Sequence, residues 1–263
     1  MARANRHYIP GQVWHLTHRC HKKEYLLKFS IDRQQWIKNL HAVKKKFGLS
    51  ILDYMVTSNH THLLVYDKDG ERVIPQSIQF LAGRTAQDYN NRKDRLGAFW
   101  QDRYHATAVE TGEHLKKCLA YIDLNMVRAG IIDHPSQWQW CGYNEIQKPR
   151  RRNIIIDYKK LMELSGFETY DIFQTAHKRW IEHILKSDEL KRESHWTQSI
   201  ATGSKSFVQD IHSKLGVQAR GKKILGTRDG YKICEDISSY NALFDTEKGV
   251  IEGKNDFFWN ENI

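Results

Sequence analysis

Two stretches of the chain hold side chains whose types and spacing suit one piece of chemistry. TSNHTHLLVY, residues 57–66, sets His60 and His62 one residue apart in an apolar, β-branched run. Successive strand side chains alternate faces, so the two imidazoles share a face at roughly 7 Å along the backbone, a spacing from which both reach one metal ion. AYIDLNMVRAG, residues 120–130, sets Tyr121 and Asn125 four apart, on one side of a helix. A divalent ion held by two imidazoles and an amide oxygen keeps open positions with which to polarise a phosphodiester, and a neighbouring tyrosine hydroxyl is then a nucleophile. A tyrosine ester of phosphate retains about the bond energy of the linkage it replaces. A free 3′ hydroxyl can therefore reverse the step, and tyrosine points to cutting and rejoining more than to digestion. Each piece alone has a plainer reading: fourteen histidines produce close pairs by chance, a helix tyrosine packs its ring in the core, and a mid-helix Asn bonds solvent.

The hydrophobic pattern supplies a scaffold for these residues. QVWHLTHRC alternates like a strand, and Ile31 to Phe47 carries Trp36, Ile37, Leu40 and Val43 at helical spacing with Gly48 as its stop. LSILDYMVT and HTHLLVY read as two strands joined by a tight turn at Ser58 and Asn59, which makes the histidine strand central. Ile74 to Asn91 reads as a helix, RYHATAVE as a strand, and Glu113 to Ala129 as one helix ended by Gly130. The order strand, helix, strand, strand, helix, strand predicts an α/β (α+β) ferredoxin-like sandwich with a central antiparallel sheet. The basic KPRRRN at 148–153 marks a boundary between a domain of residues 1–147 and a mainly helical C-terminal region, 148–263, serving as DNA contact or structural cap. Its aromatic cluster Phe257, Phe258 and Trp259 is expected to pack back on the body.

With 41 Lys and Arg against 31 Asp and Glu, the formal charge of +10 favours a polyanionic partner, most simply nucleic acid. Candidate contacts are Arg3, Arg6, Arg19, Arg92, Arg95, Arg103, Arg128, Arg150, Arg151 and Arg152, with Trp100 as a stacking or core residue. Arg128 has an equal alternative as an ion pair at its helix end. The cysteines Cys20, Cys118, Cys141 and Cys234 form no C-x-x-C pair, which argues against a zinc ribbon or a disulfide framework and for a reducing cytosol. No run of about 18 apolar residues and no apolar leader core are present, so membrane insertion and secretion are not expected. His15, His18 and His21 alternate faces and read as surface or partner-contacting residues.

IPGQVWHLTHR, NHTH, YNNRKDRLGAFWQDRY, YIDLNMVRAG and WQWCGY occur in that order over roughly residues 3–145. Together they resemble the REP-associated tyrosine transposases, relatives of the single-tyrosine HUH transposases of bacterial insertion sequences. The resemblance implies a ferredoxin-like nuclease, nucleoid-associated in the cytoplasm, that uses Mg²⁺ or Mn²⁺ to cut single-stranded DNA near hairpins and forms a 5′-phosphotyrosine. Carried over by position, His60, His62 and Asn125 are the metal ligands and Tyr121 is the nucleophile. The chain departs from the family pattern at Thr61, usually apolar, and at Met126, usually Pro; Met126 is expected to lengthen or straighten the helix. The resemblance leaves open a monomer or a homodimer. Two rival readings are a non-catalytic regulator that binds hairpin DNA or RNA, and a hydrolytic metallophosphoesterase.

Overall fold

The computed structural model describes residues 9–68, 72–187 and 193–235. Arg3, Arg6 and the aromatic cluster at 257–259 lie outside these residues. The chain begins β1 (Gln12–Arg19), α1 (Ser30–Phe47), β2 (Ser50–Val56), β3 (His60–Asp67), α2 (Val73–Lys93) and β4 (His105–Val109), as its hydrophobic pattern predicts. The four strands lie in the order β2-β3-β1-β4, and each neighbouring pair among them is antiparallel. This is the ferredoxin-like arrangement, in which two crossovers send α1 and α2 to one face of the sheet.

Trp36, Ile37, Leu40 and Val43 are the buried stripe of α1. The helix stops at Gly48, whose φ of 68° lets its N–H return to the Lys44 carbonyl at 3.0 Å. Asp88 of α2 accepts from Gln35 and Asn39 of α1 at 2.9 and 3.0 Å, and Arg92 ties the far end of α2 to Asp32. Beneath the helices, Leu16, Thr61 and Leu63 of the sheet meet Trp36, Ile78 and Leu81.

The opposite face carries α3 (Glu113–Asp123) and α4 (Asn125–Arg128). Spacing alone predicts one straight helix here, but it divides at Leu124, with φ −82° and ψ 7°. Leu124 and Met126 are both buried. Met126, expected to lengthen or straighten this helix, instead lies just past the division, with helical bonds on either side of it: the Leu124 N–H reaches the Ala120 carbonyl at 3.0 Å and the Arg128 N–H reaches the Leu124 carbonyl at 2.9 Å.

After residue 147 come α5 (Gly142–Gln147)'s successors: α6 (Tyr158–Leu164), α7 (Tyr170–Ser187), α8 (His195–Gln198), β5 (Ala201–Gly203), α9 (Lys205–Leu215), β6 (Lys222–Thr227) and β7 (Gly230–Glu235). The described residues of this region are mainly helical, as expected, and they also contribute three strands that the hydrophobic pattern did not reveal. β5 runs parallel to β4 and β7 and β6 follow, giving a seven-stranded sheet ordered β2-β3-β1-β4-β5-β7-β6. β5 is only Ala201, Thr202 and Gly203, too short to show alternation. Its pairing covers the edge that β4 would otherwise expose. The basic stretch after α5 is pinned by buried Glu145, which accepts from the N–H groups of Ile155 and Ile156, each at 2.8 Å, and pairs with Arg150 at 3.3 Å. No described helix is long and apolar enough to cross a membrane.

Candidate active site

β3 is an interior strand, and its register sets Thr17 opposite His62 and Arg19 opposite His60, while His105 and Thr107 of β4 lie opposite Thr17 and His15. Opposed residues share a face, so these side chains gather on the side covered by α3 and α4. The His60 and His62 ring centroids are 4.9 Å apart. His60 Nδ1 lies 2.7 Å from Asn59 Oδ1 and 2.9 Å from Thr57 Oγ1. The Thr57 hydroxyl already donates to the His60 carbonyl at 2.9 Å, so His60 Nδ1 is the donor and Nε2 holds the lone pair. His62 Nε2 meets Asn125 Nδ2 at 3.0 Å.

Tyr121 comes to the same place from α3. Its ring centroid is 6.1 Å from those of His62 and of His15. The Arg128 guanidinium sits 4.2 Å over the Tyr121 ring and donates to the Tyr121 carbonyl. His60, His62, Tyr121, Asn125 and Arg128 open on a cavity of about 770 Å³ that is also lined by His18, Arg19, Lys23, Gln101, Arg103, His105, Thr197 and Gln198. A groove of about 800 Å³ between α3 and α7, lined by Lys116, Ile172, Trp180 and Ile184, lies apart from this chemistry.

Burial, reinforced by nearby His60, His15, Arg128 and Arg19, holds His62 well below its ordinary value. The ring is therefore neutral at neutral pH, the form in which a nitrogen lone pair can bind a cation. No group of three His, Cys, Asp or Glu able to hold a metal ion occurs among the described residues. The donor set that does converge is two imidazoles and one side-chain amide, a nitrogen-and-oxygen set able to hold a divalent ion with positions left open.

The other residues singled out by sequence fall into different places. Arg19, Arg103 and Arg128 line the cavity. Trp100 is half-buried, stacked on His18 at 4.0 Å and donating to the Ala82 carbonyl at 3.0 Å. Arg92 is committed to Asp32 and lines a separate hollow beside α1. Arg95 pairs with Glu24 at 3.7 Å and donates to the Ala98 carbonyl at 3.1 Å. Arg150 is engaged with Glu145, and Arg151 and Arg152 are exposed.

The histidine triplet of β1 departs from expectation. His18 stacks on Trp100, but His15 is fully buried and touches His62, with its Nε2 2.9 Å from His62 Nδ1. Only the pairing register brings the two together, and that register is not readable along the chain. Trp196, Thr197 and Gln198 lie beyond any motif in the sequence, because α8 carries none and reaches the site by packing on β1 and β4.

Residues 11–125 match the family described as "Transposase IS200 like". The match spans less than half of the chain, and over that segment the chain is similar to the IS200-like transposases. His60, His62, Tyr121 and Asn125 all fall inside it, and α8 falls outside. Among solved structures the chain is similar to a REP-associated tyrosine transposase bound to a REP hairpin, at 20% identity and a TM-score of 0.48, covering 55% of this chain and 84% of that one. It is also similar to a candidate transposase from Deinococcus radiodurans R1, at 17% identity and a TM-score of 0.33, covering 48% of this chain and 95% of the other. Superpositions this loose carry no functional weight. No curated protein matches the chain.

Proposed function

We propose that the chain is a metal-dependent tyrosine transposase of the REP-associated kind, which cleaves and rejoins single-stranded DNA beside hairpins through Tyr121. The observation that carries this reading is the meeting of His60, His62, Asn125 and the Tyr121 ring at one basic cavity inside the IS200-like segment. The motifs NHTH and YIDLNMVRAG support the hairpin and single-strand assignment by resemblance. The +10 charge supports a nucleic-acid partner.

His60 and His62 offer Nε2 lone pairs and Asn125 offers its amide oxygen to a divalent ion, which when bound supplies Lewis-acid stabilisation of the charge building on the phosphoryl oxygens. Tyr121 Oη then forms a bond to phosphorus as the P–O3′ bond breaks. The phenol gives up its proton to solvent and the departing 3′ oxygen takes one up, leaving a 5′-phosphotyrosine and a 3′ hydroxyl. Attack by another 3′ hydroxyl on the phosphotyrosine runs the step backwards and restores the phenol. Arg128 holds the Tyr121 carbonyl and covers its ring, and Arg19, Lys23 and Arg103 provide positive charge for flanking phosphates.

The test is covalent. Incubated with Mn²⁺ and a 3′-end-labelled single strand bearing a hairpin, the protein should become joined to the 5′ phosphate of the fragment downstream of the break, mapped to Tyr121 by mass spectrometry. Tyr121→Phe should abolish the adduct, and His62→Ala should sharply reduce its yield and raise the Mn²⁺ concentration needed to form it. Attachment at a different tyrosine, or cleavage that survives Tyr121→Phe, would overturn the assignment.

A further inference from the structure

His62 is held from behind by residues that no catalytic motif contains. Its Nδ1 lies 2.9 Å from His15 Nε2, and His15 Nδ1 lies 2.8 Å from the carbonyl oxygen of Trp196. A carbonyl can only accept, so His15 carries its proton on Nδ1. A neutral imidazole has one N–H, which leaves His15 Nε2 as an acceptor and obliges His62 Nδ1 to donate. His62 Nε2 is then the lone-pair nitrogen, and it receives the amide N–H of Asn125 at 3.0 Å. Protons therefore point one way along the series, from Asn125 through His62 and His15 to Trp196.

The final acceptor is itself fixed in place. The Ser199 carbonyl accepts from Thr107 Oγ1 at 2.6 Å and from His105 Nε2 at 2.9 Å. The Ala108 N–H reaches the Ile200 carbonyl at 2.8 Å, just before the register of β4 with β5 begins at Ala201. The Trp196 indole donates to Glu193 at 2.7 Å. The segment around α8 is thus fastened to β4 on one side and delivers its carbonyl to His15 on the other.

We propose that His15 and the Trp196 carbonyl are positioning groups that hold His62 in its Nδ1–H tautomer, so that the C-terminal region completes the candidate metal centre instead of merely capping the fold. The inference rests on the metal-centre reading of His60, His62 and Asn125. Hydrogen-bond partners behind a ligating histidine orient its ring and raise its basicity, and losing one commonly costs 10–100-fold in metal affinity.

The experiment reads the tautomer before any metal or DNA is added. Two-bond ¹H–¹⁵N spectra of the metal-free chain at neutral pH should show both His15 and His62 protonated on Nδ1. His15→Gln can donate to the Trp196 carbonyl and accept from His62; it should preserve the His62 tautomer and keep Mn²⁺ affinity within about threefold. His15→Leu should leave His62 a mixture of tautomers and weaken Mn²⁺ binding, followed by calorimetry, by about 10–100-fold, with the far-ultraviolet circular dichroism unchanged. An Nε2–H His62 in the wild-type chain, or wild-type Mn²⁺ affinity in His15→Leu, would overturn the proposal. Failure of the wild-type chain to bind Mn²⁺ while both rings show Nδ1–H would overturn the metal-centre reading, and with it the role assigned to His15 toward a cation.

Discussion

The two faces of the sheet are built on different physics. Under α1 and α2 the contacts with the sheet are mainly apolar: Trp36, Leu40 and Val43 are at most 1% exposed, and Trp36 meets Leu16 and Leu63. Under α3 and the C-terminal region the sheet buries His15, Asp53, His62, Thr107 and Asp123, also at most 1% exposed. Burying polar groups opposes folding unless each finds a partner. His15 and His62 do so in series. Asp123 Oδ2 receives the buried His177 ring at 2.9 Å. Asp53 Oδ2 and Asp123 Oδ1, however, have no hydrogen-bond partner among the described residues. The first face stabilises the domain, and the second spends part of that stability on holding donors in place.

Trp36→Ala tests the division at its largest. It should lower stability in urea by about 3–5 kcal/mol and leave the Mn²⁺ affinity of the folded molecules as it was. A matching fall in affinity would show that the two faces are coupled through the sheet. On the polar face, Gly142 lets the backbone close on Asp53, and a Cβ there would fall 2.0 Å from Asp53 Oδ1. Gly142→Ala should therefore cost about 1–3 kcal/mol, and crystallography should show Asp53 displaced.

Asp53→Asn sharpens the contrast through pH. Burial first, and the neighbouring Asp123 second, push the Asp53 carboxyl well above its ordinary value of 3.8. The folded chain binds this proton more tightly than the unfolded chain, so Asp53 lowers stability as pH rises above 3.8 towards its folded value. Urea unfolding as a function of pH should show that decline in the wild-type chain and a shallower one in Asp53→Asn. Equal slopes would mean that Asp53 is not the group responsible. The smallest effect on stability belongs to the cavity rim: Arg103→Ala should shift stability by less than about 0.5 kcal/mol while reducing the slope of log affinity for single-stranded DNA against log salt by about 1. An unchanged slope would remove Arg103 from the phosphate contacts.

Much of the apolar face is legible in the sequence because helical spacing reports burial directly. Trp36 to Val43 declare the inner side of α1, and Gly48 declares its end. The break at Leu124 is not legible, because neither Gly nor Pro stands at it in AYIDLNMVRAG. β5 escapes for the opposite reason: Ala201, Thr202 and Gly203 become a strand only because β4 presents an open edge.

The residue types and spacings in NHTH and YIDLNMVRAG determined, without any structure, which side chains could meet a metal and a phosphodiester and which strand and helix would carry them. Alternation in a strand and the turn of a helix are local rules that a linear sequence states fully. Which ring nitrogen of His62 faces the cavity was decided only by the tertiary structure. That outcome depends on His15 one strand away and on a carbonyl more than a hundred residues downstream, and hydrogen-bond direction passes between elements only once strand register has brought them into contact.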